Sequence, residues 1–347
     1  MSIAGLSSGA LFAKSKACFT SLMSSEDYST AASFENLAEF AAFLKNKTAY
    51  SEAFDGIGGS GKMTRQRLEA IIKRMTLLRL EKVIRYAKLS DSFVSEYLLI
   101  THECECIISR MRQHGEYTLD SYLLYMPDGF FKNTCFDISE LEKAHTSAEI
   151  KGVLAKTPYS KILAHVFDKN DFGGRLVPEN LLYRYLYETG NANFEKKLSK
   201  KDYTEVKELL SLLSDMVTIG TVYRIKKYYS QSEDLMLHVF GSSLTHFSET
   251  RIEELKNAQT YTEFLSVLER TRYKGLIHLL ESDRSALFTK QYIYNFCRKK
   301  FASSCNPALS ALCYARLVSA EADNLVTITE GVSSGTNPEK ILSMLIR

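Results

Sequence analysis

Asn36-Leu-Ala-Glu39-Phe40-Ala-Ala-Phe43-Leu44, followed by Thr48-Ala-Tyr50, is a stretch that returns twice further along the chain. Thr146-Ser-Ala-Glu149-Ile150-Lys-Gly-Val153-Leu154 leads to Thr157-Pro-Tyr159, and Thr260-Tyr-Thr-Glu263-Phe264-Leu-Ser-Val267-Leu268 leads to Thr271-Arg-Tyr273. The glutamates stand 110 and 114 residues apart, and the first copy has one extra residue before its Thr. Asn or Thr followed three residues later by Glu is the signature of a capping box, in which each side chain accepts an amide that the first helical turn leaves free. The apolar positions one turn later, 40 with 43 and 44, 150 with 153 and 154, and 264 with 267 and 268, form one buried stripe. Thr-x-Tyr then ends the short helix and turns the ring back onto it. Three copies at near-equal spacing point to one helical module present three times. The expected domains are 1–130, 131–240 and 241–347. Three similar units can close around a pseudo-threefold axis and enclose a central hollow.

Helical periodicity extends outward from these stretches. Leu68, Ile71, Ile72, Met75, Leu78, Leu80, Val83 and Ile84 form one amphipathic run. Val206, Leu209, Leu210, Leu213, Met216 and Val217 form a second, and Leu309, Leu312, Cys313, Leu317 and Val318 a third. The chain has only 5 Pro, so long helices are not interrupted. Pro158, Pro178, Pro307 and Pro338 sit where helices are expected to begin, and Asn337-Pro338-Glu339 combines a cap, a first-turn proline and an acid favoured by the helix dipole. With no sustained alternation of period two, the expected class is all-α.

At 347 residues the chain is long enough for two or three domains of roughly 150 residues or fewer. The 45% hydrophobic and 24% charged content excludes a disordered chain, a collagen-like chain and a small disulfide scaffold. A net charge of +3 is too weak for a dedicated nucleic-acid binder. Seven scattered cysteines fit reduced thiols better than a disulfide framework. No apolar stretch reaches the roughly 18 to 20 residues of a membrane span, and no basic segment precedes the apolar start. The expected location is the cytosol, including the cytosolic side of a membrane protein.

Beyond the repeats, two places carry a family likeness and a third carries it loosely. Asp215-Met-Val-Thr-Ile-Gly-Thr-Val-Tyr-Arg224-Ile-Lys226-Lys227 is similar to an Asp…Asn-Ile…Arg-x-Lys helix, with Val217 or Thr218 where Asn is usual. Glu321-Ala-Asp-Asn324-Leu325, continuing through Gly331 and Gly335 to Pro338-Glu339-Lys-Ile341, is similar to a Glu-x-x-Asn-Ile…Gly…Gly…Glu-x-Ile ending. Phe12-Ala13-Lys14-Ser15-Lys16 loosely matches a Tyr-x-x-Ala-Arg-like start. In this order the chain resembles, over essentially its whole length, the C-subunit family of the bacterial and archaeal V-type (A-type) ATPases, whose eukaryotic counterpart is the d subunit. The resemblance implies a funnel of three helical domains on the cytoplasmic face of the membrane rotor ring, peripheral to the membrane. It implies a socket that receives the central-stalk shaft (subunits of D and F type) and passes torque between ATP-driven rotation and proton or sodium transport. Such a protein makes and breaks no bond, so no catalytic residue, cofactor or metal is expected. Arg224, Lys226 and Lys227, on the family-like helix, are the expected partner contacts with acidic stalk residues or lipid headgroups. The alternative reading is a helical scaffold or adaptor outside any ATPase.

Three segments invite other chemistry. Gly56 to Thr64 nearly spells a phosphate-binding loop, which would make a nucleotide-binding enzyme, but Met63 stands where the magnesium-binding hydroxyl belongs and no strand precedes it. In His102-Glu-Cys104-Glu-Cys106, positions 102 and 106 share a helix face and 104 points away, so three metal ligands do not converge. Asp168 to Glu179 echoes a calcium loop, with Phe172 at a ligand position. The reading of each is structural: a loop leading into a helix, packed thiols and a surface connection. The seven histidines, scattered through the sequence, are read likewise as surface or satisfied core residues.

Overall fold

The computed structural model describes residues 3–56, 63–87, 92–112, 127, 129–168, 176–228, 242–282 and 287–347, with side chains from residue 9 onward. Every regular element among these residues is helical, and the protein is all-α. The same order of elements recurs: two short helices, a Thr-x-Tyr turn and two long helices. In the first stretch, α1 (Ile3–Phe19) precedes the short α2 (Ser25–Ala32) and α3 (Leu37–Lys47) and the long α4 (Arg65–Ala87) and α5 (Ser92–Arg112). In the second, the short α6 (Ile138–Lys143) and α7 (Ser147–Leu154) are followed by α8 (Pro158–Ile162) and α9 (Ala164–Asp168), then the long α10 (Leu176–Lys197) and α11 (Lys200–Tyr228). In the third, the short α12 (Glu249–Asn257) and α13 (Tyr261–Glu269) precede α14 (Ile277–Leu280), the long α15 (Phe288–Ser303) and α16 (Pro307–Ser333), and the final α17 (Pro338–Ser343). Pro158, Pro307 and Pro338 stand at helix starts, where a missing N–H breaks no helical bond. Pro178 is the third residue of α10.

The short helices are held by their caps. Ser24, Asp137 and Ser248 cap the first of each pair. Asn36, Thr146 and Thr260 cap the second. Asn36 Oδ1 accepts the amides of Ala38 and Glu39 at 3.1 and 3.0 Å. Thr146 makes the full box: its hydroxyl accepts the Glu149 amide at 3.2 Å, and Glu149 accepts the Thr146 amide at 2.9 Å. Thr260 accepts the Glu263 amide at 3.2 Å, whereas Glu263 reaches one residue further back, to the amide of Gln259. The amides of His145 and Thr146 hold the Glu149 carboxyl below the usual carboxylate range.

At the far end the threonine hydroxyls of Thr48, Thr157 and Thr271 donate to the carbonyls of Leu44, Leu154 and Leu268 at 2.7, 2.8 and 2.7 Å. These bonds satisfy carbonyls that a helix end leaves unpaired. The following rings of Tyr50, Tyr159 and Tyr273 are buried, and their hydroxyls donate to Glu321, Glu103 and Asp215 respectively. Burial first, with the neighbouring carboxylates added to it, raises all three phenols far above their ordinary range. They therefore remain donors at any ordinary pH.

The chain divides into two compact units. One comprises Met1–Ser95, Thr118–Lys132 and Tyr294–Arg347, the other Glu96–Tyr117 and Asn133–Ile293. In the first, α16 packs on α4 and α1, and α1 packs on α4. Phe40, Leu44, Leu68, Ile71, Leu325, Ile328 and Ile341 form its buried core, each such side chain contributing about 1.5–3 kcal/mol on burial. Gly331 on α16 lets α17 approach, since a Cβ there would stand 2.5 Å from Ile341 Cγ1. Gly335, at φ +65°, ends α16 in the left-handed conformation that glycine adopts without strain. In the second unit α10 packs along α11, burying Leu182, Leu186, Phe194, Leu209 and Leu213.

Candidate functional site

Arg224, Lys226 and Lys227 lie in the last turns of α11, where positive charge is favoured by the helix dipole. Val222 and Ile225 on the same turns are buried, so the basic side chains are carried by a helix end that cannot shift without disturbing the core. Arg224 Nε donates to the Gly220 carbonyl at 3.2 Å, and its Nη1 lies 3.5 Å from Glu179 Oε2. Arg112 Nη2 lies 2.8 Å from the same oxygen. Two half-exposed guanidinium groups thus share one nearly buried carboxylate, leaving one positive charge in excess. Burial works against the Arg112 charge, but Glu179 outweighs it and the pKa is raised.

Lys227 is held by aromatic rings. Its Nζ donates to the Tyr223 hydroxyl at 2.7 Å and stands 5.0, 5.6 and 5.9 Å from the ring centroids of Tyr223, Tyr228 and Tyr261. Cation–π attraction fixes such an ammonium without removing its charge. Tyr223 is buried against Phe288, with centroids 5.3 Å apart, whereas Tyr228 is 65% exposed. Lys226 is partly buried, which lowers its pKa, and the Glu263 carboxylate of the third cap opposes that effect. The arrangement presents fixed cations and an exposed ring to solvent. It is equipped for electrostatic contact with an acidic surface.

The other segments singled out by sequence fall elsewhere. Residues 57–62 of the glycine-rich stretch lie outside the described residues; Thr64, at its end, accepts the Arg67 amide at 3.3 Å and starts α4. Residues 169–175 of the calcium-like stretch also lie outside them, while Glu179 is engaged by the two arginines. His102 Nε2 stands 3.7 Å from Cys106 Sγ, and Cys104 turns away to the Leu182 carbonyl. Burial pushes the His102 imidazole down to about 4. Among the described residues no cluster of three or more His, Cys, Asp or Glu is placed to hold a metal ion. None of the described helices is long and apolar enough to cross a membrane.

Sequence reasoning missed Arg112 and Glu179 as neighbours of Arg224. The pairing brings α5, α10 and α11 together, and no local spacing announces it.

A family model described as "ATP synthase (C/AC39) subunit" matches residues 11–344, nearly the whole chain. No curated protein sequence matches.

Proposed function

The chain belongs to the ATP synthase (C/AC39) subunit family, and from that premise we propose that it is a non-catalytic rotor component of a V-type or A-type ATPase. In this reading it is a socket on the cytoplasmic side of the membrane. It joins the central-stalk shaft, of D-type and F-type subunits, to the membrane rotor ring, and so couples ATP turnover to proton or sodium transport. The observation that carries the reading is the family match over residues 11–344. The architecture suits it mechanically: every short-helix pair is capped, and each following tyrosine is buried on a carboxylate. Close-packed interiors of this kind have low compressibility and transmit strain. The three modules, 1–130, 131–240 and 241–347, are proposed to stand around a pseudo-threefold axis with a central cavity that forms the socket.

The cations on α11 are proposed to meet acidic residues of the shaft. The purified chain mixed with D-type and F-type stalk subunits is expected to co-elute with them at low salt. Arg224→Gln combined with Lys227→Gln is expected to weaken that binding about tenfold, with the difference shrinking as salt is raised. A chain that binds neither stalk protein, but instead captures a protein outside any ATPase, would make it a helical adaptor.

A further inference from the structure

Glu321, Glu103 and Asp215 are buried, and each accepts a second hydrogen bond besides that from its tyrosine. Glu321 Oε2 accepts the amide of Met23 at 2.6 Å, and Oε1 accepts the Tyr50 hydroxyl at 2.9 Å. Glu103 Oε1 accepts the amide of Cys135 at 2.7 Å, and Oε2 the Tyr159 hydroxyl at 2.6 Å. Asp215 Oδ2 accepts the amide of His246 at 3.0 Å and the Tyr273 hydroxyl. Met23, Cys135 and His246 stand one or two residues before the caps Ser24, Asp137 and Ser248. Each tyrosine stands just after the second short helix of the same pair. One carboxylate therefore grips both ends of a two-helix module.

The ring of the clamping tyrosine meets a cation at the first place and a second tyrosine at the other two. The Arg79 guanidinium lies over the Tyr50 ring at 4.9 Å and pairs with Glu321. Tyr185 meets Tyr159 edge-on at 5.7 Å, and Tyr292 meets Tyr273 at 5.7 Å. The His246 imidazole Nδ1 lies 2.8 Å from Asp215, and Thr245 donates to the same carboxylate.

The carboxylates are offset in the chain. Glu103, on α5, precedes the module it grips, and so does Asp215 on α11. The first module takes Glu321 from α16, the last long helix. Module and carboxylate thus follow a cyclic order, in which the long helix of the third stretch serves the module of the first.

We propose that Glu321, Glu103 and Asp215 are positioning residues of the coupling function. Each clamps one short-helix module to the long helix that precedes it in the cyclic order, so that load reaching a module passes into a long helix through a buried carboxylate. The clamping itself stands on the geometry alone, while its part in coupling rests on the rotor reading above. The oxygens act only as acceptors. An isosteric amide removes the negative charge that strengthens both bonds and turns one oxygen into a donor, which a facing hydroxyl meets only by turning its own proton away.

The test has two arms. In the first, backbone hydrogen exchange is measured on the full chain carrying Glu321→Gln, Glu103→Gln or Asp215→Asn. Protection is expected to fall about tenfold or more, for residues 23–54, 135–168 and 246–280 respectively, with the other two modules unchanged. Loss in the same region for every variant, or in 23–54 for Glu103→Gln, would overturn the clamp. If an acid variant does not fold, Tyr50→Phe, Tyr159→Phe and Tyr273→Phe remove one donor each and are read in the same way. In the second arm the variants are placed in the assembled ATPase, and ions moved per ATP hydrolysed are measured. The ratio is expected to fall at least twofold while the hydrolysis rate is retained. An unchanged ratio would leave the clamps structural only and overturn their positioning role. A wild-type chain that does not join the ATPase would instead overturn the rotor reading and with it the coupling role, while the exchange measurement would still decide the clamp.

Discussion

Arg79→Met is expected to lower the unfolding free energy of the unit holding both chain ends by about 3–5 kcal/mol, the cost of leaving a buried charge without its partner. Arg79 is 2% exposed and Glu321 3%, and both lie where water cannot replace the lost contact. Arg79 Nη1 pairs with the carboxylate, its Nη2 donates to the Ser21 carbonyl at 2.8 Å, and its plane covers Tyr50. Methionine fills the stem's volume and supplies none of these. Denaturant unfolding, followed by a probe in this unit, reads the loss directly. Adding Glu321→Met is expected to restore part of the stability, because an apolar pair removes both the attraction and the unpaired charge. A single variant within about 1 kcal/mol of wild type would show that Glu321 gains little from its cation.

The second large effect is expected from Asn324→Leu. Asn324 on α16 is 3% exposed and makes two bonds to one residue near the C-terminus: its Nδ2 donates to the Ile346 carbonyl at 2.9 Å, and its Oδ1 accepts the Ile346 amide at 2.7 Å. Leucine keeps the size and leaves both backbone groups unpaired in a buried setting, at about 1–3 kcal/mol each. The expected total is about 2–6 kcal/mol, together with faster exchange through α17 and residues 344–347. Unaltered exchange there would mean that Ile341 against Gly331 holds the chain end by packing alone.

These two residues show how far the sequence was legible. Helix class and capping were readable because both are local: a cap and its partner lie three residues apart, and an apolar stripe repeats every turn. The family-like ending already contained Glu321, Asn324, Gly331 and Gly335, and the structure supplies the reasons for them. Glu321 accepts from Tyr50 and pairs with Arg79, Asn324 ties down Ile346, Gly331 makes room for Ile341, and Gly335 takes a positive φ.

What could not be read were the partners of the repeated tyrosines. Tyr50 and Glu321 are 271 residues apart, Tyr159 and Glu103 56, and Tyr273 and Asp215 58. No spacing rule links such pairs. Glu103 also sits inside a segment whose His and Cys invite a metal-ligand reading, which passes over the one residue there that carries a module. The same holds for the basic site. A run of Arg and Lys at a helix end is visible in sequence, but its fixing by Glu179, Arg112 and three tyrosine rings comes from packing between distant helices.

Whether this chain joins the rotating shaft to the ion-carrying ring is decided by measuring ATP hydrolysis and ion transport side by side, in the ATPase with the chain and after its removal. Hydrolysis is expected to continue in the catalytic part while ATP-driven transport falls to background, and adding the chain back is expected to restore transport. Transport retained at the full number of ions per ATP without the chain would contradict its coupling role.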